Sequence, residues 1–93
     1  MIKSFRSKAL ERYWTRGDSS KIRPDWVRKV QRFLNAISVA SEPGDMDLPG
    51  SGFHALTGDM AGRYALTISR NYRLTFAWDD EGAADIDLED YHG

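Results

Sequence analysis

Arg63-Tyr64-Ala65-Leu66-Thr67-Ile68, Tyr72-Arg73-Leu74-Thr75-Phe76-Ala77-Trp78 and Ala84-Asp85-Ile86-Asp87-Leu88-Glu89 are three runs in which apolar side chains alternate with more polar ones. A period of two belongs to a pleated strand with one buried face, so each run predicts a strand. The links between them, Ser69-Arg70-Asn71 and Asp79-Asp80-Glu81-Gly82, are short and rich in turn formers, which predicts antiparallel pairing. On this reading Ala84, Ile86 and Leu88 point inward from the last strand. Arg63, Arg73 and Thr75 lie on the face turned away from the core.

Upstream, the pattern changes period. Trp26, Val27, Val30, Phe33, Leu34 and Ile37 recur at helical spacing behind Pro24, which suits a first helical turn. A helix over 24–40 follows, with Arg28, Lys29 and Arg32 on its polar side. Ser7 can cap an earlier helix carrying Ala9, Leu10, Tyr13 and Trp14 and ended by Gly17-Asp18-Ser19-Ser20. Ile2 to Phe5 reads as a short strand with Ile2 and Ser4 on one side, Lys3 and Phe5 on the other. Residues 41–52 hold two Pro-Gly steps and no periodicity, which predicts a loop that is long for a compact domain. Strand, two helices and three consecutive strands make an α+β domain, with the helices on one face of a mainly antiparallel sheet. The 93 residues suffice for one such domain, 1–93, and not for two.

Composition narrows the chemistry. With no cysteine, neither disulfides nor thiolate chemistry can operate. Met1 to Arg6 lacks the apolar run of a signal peptide, and no stretch approaches the roughly 20 apolar residues that span a bilayer. A cytoplasmic protein without membrane association is expected. The net charge of −1 hides a split. Residues 1–40 carry ten Lys/Arg against three acids, and residues 41–93 carry three against eleven. One side suited to a polyanion is one meaning of that split; ordinary solvated surface is the other.

Four kinds of side chain are candidates for chemistry. Arg73 is directed away from the core, where a guanidinium can grip phosphate through two parallel hydrogen bonds. Pairing with Asp85, Asp87 or Glu89 is its structural alternative. His54 and His92 each stand just outside a strand run, and imidazole both takes and gives protons near neutral pH. Two histidines without local ligand spacing give no support for a zinc site. Asp90-Tyr91-His92 gathers a carboxylate, a phenol and an imidazole at the end of the last strand. Tyr91 there can stack on a base or cover the end of the core.

Three separated stretches resemble the HigB-type toxins of the RelE superfamily, in order and in spacing. They are Ile2-Lys3-Ser4-Phe5; His54-Ala55-Leu56-Thr57-Gly58-Asp59 through Gly62; and Asn71-Tyr72-Arg73-Leu74-Thr75-Phe76 with the closing Asp90-Tyr91-His92. The resemblance spans nearly the whole chain. It implies a RelE-like fold and a metal-independent, ribosome-dependent endoribonuclease that cuts messenger RNA, with no cofactor. His54, Arg73, Asp90, Tyr91 and His92 correspond to catalytic positions, Arg73 contacting phosphate and His92 leading proton transfer with Asp90 orienting it. Relatives often carry lysine where this chain has Thr57, which supplies no charge. That shifts the burden toward Arg63, Arg70 or Arg73, and makes Arg28, Lys29 and Arg32 candidates for contacts with small-subunit ribosomal RNA. The implied protein partner is a HigA-like helix-turn-helix antitoxin. A non-catalytic gyrase inhibitor of the ParE branch and a pure antitoxin-binding module share the fold, but neither needs His54, Arg73 and His92 together.

Overall fold

In the computed structural model, which describes residues 1–90, the alternating runs form a meander of strands in the order β1-β2-β3-β4, every neighbour antiparallel. These are β1 (His54–Ala55), β2 (Arg63–Thr67), β3 (Tyr72–Asp79) and β4 (Gly82–Asp90). Helices α1 (Lys8–Arg16) and α2 (Val27–Val39) pack on one face of this sheet, α2 preceded by a 3₁₀ turn over Pro24–Trp26. Ser7 caps α1 by accepting the Leu10 N–H, and Gly17, at φ 70°, closes it. Leu10, Val30, Phe33, Leu34 and Ile37 from the helices meet Leu66, Leu74, Phe76 and Ile86 from the sheet, all without solvent exposure except where Ile22 and Ile68 close the margins. Trp14 departs from expectation: Leu10, Ala9 and Tyr13 supply the inward side of α1, leaving Trp14 exposed.

Two further departures share one cause. β4 carries one extra residue opposite Phe76, between the Thr75–Asp87 and Ala77–Ala84 pairs, and Asp85 in that bulge has φ 50°. The extra residue reverses the alternation. Ala83, not Ala84, is therefore the buried partner of Ile86. The N-terminal segment lies parallel to β4 and touches it at two isolated bridges, Ile2–Ala83 and Phe5–Ile86, rather than as a continuous strand. Both segments advance three residues between the bridges, an odd step that would put Ile2 and Phe5 on opposite faces of a regular strand; the break between the bridges lets both pack against the core. At the break, the Asp85 N–H bonds to the Ser4 hydroxyl instead of a backbone carbonyl. Gly82 is required where the segment begins, because a Cβ there would lie 2.2 Å from the Met1 carbonyl oxygen.

Residues 41–52 are anchored at both ends. Pro43–Met46 forms a 3₁₀ turn that buries Met46 completely, and the equally buried Ser51 hydroxyl donates to the Met46 carbonyl. That hydroxyl also accepts the N–H groups of Leu48 and Phe53, so one side chain satisfies three backbone groups. No helix of the described residues is long and apolar enough to cross a membrane.

Lys3 and Asp79 join the N-terminal segment to the β3–β4 hairpin. The Lys3 ammonium holds the Asp79 carboxyl below its ordinary value of 3.8, aided by the Glu81 N–H. A depressed carboxyl contributes stability above its unfolded value and loses it as pH falls through the folded one. The thermal midpoint of Asp79→Asn should therefore lie below that of the parent at pH 7, and the gap should close below about pH 4. A gap constant from pH 7 to pH 2 in scanning calorimetry would rule out the ion pair as its source.

Candidate active site

Directly opposed residues of paired strands share a face. His54 opposes Ala65, Ala65 opposes Thr75 and Thr75 opposes Asp87, making one row across the sheet face not covered by helices. The adjacent row is Thr67, Arg73 and Glu89. His54 and Arg73 therefore point the same way. With two strand spacings between them and a two-residue offset, their backbones are roughly 12 Å apart, a gap that two long side chains can close around a nucleotide.

Each is held by backbone carbonyls. The His54 ring Nδ1 lies 3.0 Å from the Gly52 carbonyl oxygen, which can only accept, so Nδ1 carries the proton and Nε2 is the basic nitrogen of the neutral ring. Gly52 has φ 62°, and a Cβ on it would meet the Thr67 hydroxyl at 2.3 Å, so glycine is needed for the carbonyl to sit there. The Arg73 guanidinium donates from one nitrogen to the carbonyls of Ser69, Arg70 and Tyr72, around the β2–β3 turn. These carbonyls are a backbone anchor that fixes the direction of the side chain.

The remaining candidates divide. Arg70 is exposed in the turn that anchors Arg73. Asp90 opposes Tyr72, so it shares the helix-side face with Tyr72 and not the face of Arg73. Tyr91 and His92 lie outside the described residues. Arg63 corrects the sequence reading: it occupies the expected face yet is only 9% exposed. Its guanidinium donates 2.8 Å bonds to the Thr75 hydroxyl and the Asp85 carbonyl, so it faces inward and not toward RNA. Burial lowers its pKa, with Arg6 adding repulsion while Glu89, Asp87 and Asp85 oppose the shift. Arg28, Lys29 and Arg32 are on the outer side of α2, a full helix layer from His54 and Arg73. Arg32 is engaged there by the Pro49 carbonyl at 2.8 Å, which ties the 41–52 loop to the helix. Among the described residues no three His, Asp or Glu side chains converge to hold a metal ion.

Two residues that alternation assigns to this face, Thr75 and Glu89, are not among the site candidates read from the sequence. Thr75, fully buried, donates to a Glu89 carboxylate oxygen at 2.5 Å while accepting from Arg63. Alternation sends both to the same face, but only the register between strands brings them into contact.

Comparison with known proteins covers the same span. Residues 3–92 match the family described as RelE-like toxin of type II toxin–antitoxin system HigB. Endoribonuclease HigB of Proteus vulgaris is 34% identical over 92 residues, covering 99% of this chain and 100% of the relative. Toxin HigB-1 of Vibrio cholerae serotype O1 is 26% identical over 91 residues, covering 96% of each. The solved YoeB–YefM complex from Staphylococcus aureus contains a chain similar at a TM-score of 0.59 and 22% identity, with 100% of this chain and 97% of that chain covered, a likeness of fold.

Proposed function

This chain belongs to the HigB-like family of RelE-like toxins of type II toxin–antitoxin systems, and from that premise we propose that it is an endoribonuclease that cuts messenger RNA on the ribosome. The observation that carries the reading is the common sheet face of His54 and Arg73, each fixed by main-chain carbonyls before any substrate arrives. RNA cleaves itself when a ribose 2′-oxygen attacks the adjacent phosphorus and the 5′-oxygen leaves. The protein must then orient the phosphate, offset the growing negative charge and move two protons.

In this scheme Arg73 contacts the scissile phosphate and His54, through Nε2, transfers a proton or places the substrate. His92 is the principal proton-transfer residue and Tyr91 stacks on a base; Asp90 orients His92 from the last position of β4 and not from the Arg73 face. Arg70 extends the phosphate contacts along the turn, and Arg28 and Lys29 face ribosomal RNA from the opposite side. The toxin is neutralised by an antitoxin, in our reading a HigA-like helix-turn-helix protein, and acts in the cytoplasm where its ribosomal partner is found.

The test mixes purified protein with labelled message, with and without programmed ribosomes, and maps the ends produced. Cuts only in the presence of ribosomes are expected. His92→Ala should abolish them with the far-ultraviolet circular dichroism unchanged. Near-parental cutting by that variant would remove His92 from the chemistry, and cutting of naked message would remove the ribosome.

A further inference from the structure

We propose that Glu89 is a further catalytic residue of this face, its carboxylate receiving the 2′-hydroxyl proton, with Arg63 and Thr75 as the positioning residues that aim it. The proposal rests on the endoribonuclease reading above.

Glu89 stands directly opposite Arg73, so a phosphate held by that guanidinium brings its neighbouring ribose to the carboxylate. Its carboxylate accepts from the Thr75 hydroxyl of the neighbouring strand β3, a closer contact than the 3.5 Å between the Ser4 hydroxyl and Asp85. Asp87 accepts from its neighbour Leu88 N–H, and Asp85 is exposed in the bulge. The clamp also has a direction. Arg63 can only donate, so the Thr75 oxygen accepts from it at 2.8 Å and sends its single proton to Glu89 Oε2 at 2.5 Å. Because Arg63 and Thr75 are buried, this chain of bonds is shielded from water and holds the half-buried carboxylate in one orientation. Oε1 is then the oxygen left to meet substrate. A buried guanidinium on a nuclease face also gains a purpose that phosphate contact does not supply.

The step balances without a co-reactant. The 2′-oxygen forms a bond to phosphorus as its proton passes to Glu89. The bond from phosphorus to the 5′-oxygen breaks, and that oxygen takes a proton from an imidazolium of the site. The products are a 2′,3′-cyclic phosphate and a 5′-hydroxyl. Among the described residues, the charged groups placed nearest Glu89 by the strand registers and hydrogen bonds are Arg73 opposite it on β3, Arg63 of β2 through the Thr75 hydroxyl, and Asp87 and Asp90 along β4; Arg6 and Asp85 act on the same Arg63.

The experiment compares the parent with Glu89→Gln, whose amide oxygen can still accept from Thr75, on programmed ribosomes between pH 6 and pH 9. Single-turnover cleavage should fall at least about 100-fold at pH 7, the scale of a lost general base, and the deficit should narrow as hydroxide rises. A second message carries sulfur in place of the 5′-bridging oxygen at the cut site, a leaving group that needs no acid. The deficit of Glu89→Gln should persist on it. Cleavage within about threefold of the parent on the ordinary message, or recovery on the sulfur message, overturns the assignment. A parent protein that leaves the ordinary message whole instead brings down the endoribonuclease reading, and this proposal with it.

Discussion

Arg73→Ala is expected to lower single-turnover cleavage by about 10²–10³-fold, the scale on which one preorganised donor to a developing anion acts. The size follows from how the guanidinium is held. Three carbonyls of the β2–β3 turn bind one of its nitrogens, so the rotamer freedom of a long side chain is largely given up on folding and not on substrate binding. Arg73→Lys keeps the charge but not the planar fork, and its ammonium cannot bridge the turn and a phosphate in the same geometry. It should recover less than a tenth of the lost rate. The substitution is on the helix-free face, so the thermal midpoint measured beside the rate separates chemistry from unfolding. Parent-like cleavage by Arg73→Ala would exclude the guanidinium from the phosphate site.

Phe76→Ala should destabilise the fold by about 3–5 kcal/mol, the usual cost of emptying a fully buried aromatic position. Phe76 has no solvent exposure, stacks on Tyr64 at 5.6 Å between ring centroids and meets Trp78 edge-on at 6.3 Å. It also stands opposite the β4 bulge, where two residues face one and neighbours have little freedom to close a cavity. A domain of this length has about 5–14 kcal/mol in total, so this single loss removes a large share of it. Urea denaturation followed by tryptophan fluorescence measures the change; a shift under about 1 kcal/mol would mean that the core is centred elsewhere.

How far the fold could be read from the chain depended on the range of the forces that set each part. The α2 stripe and the antiparallel hairpins are local: Val30, Phe33, Leu34 and Ile37 declare their face within about two turns, and Ser69-Arg70-Asn71 leaves the chain nowhere to go but back. The bulge at Asp85 has no such signature, since nothing near it in sequence says that β4 carries one residue more than β3. That one residue moved Ala84 out of the core and Ala83 into it. Arg63 shows the same limit at the site. Alternation assigned its face correctly, but whether that face is wet at Arg63 depends on Thr75, Asp85 and the strands that carry them. Likewise His54 could be named as a candidate, whereas its alignment with Arg73 required the registers of two strand pairs.

The bridges from Ile2 to Ala83 and from Phe5 to Ile86 set an order of events during manufacture of the chain. Residues 2–5 find their seats only on β4, which is made after the other three strands, so they stay unseated until β4 itself has been made. Handles added ahead of Met1 would leave beside Gly82, at the opposite end of β4 from Asp90. Removing residues 2–5 uncovers Ala83 and Ile86, and removing β4 leaves residues 2–5 without a partner.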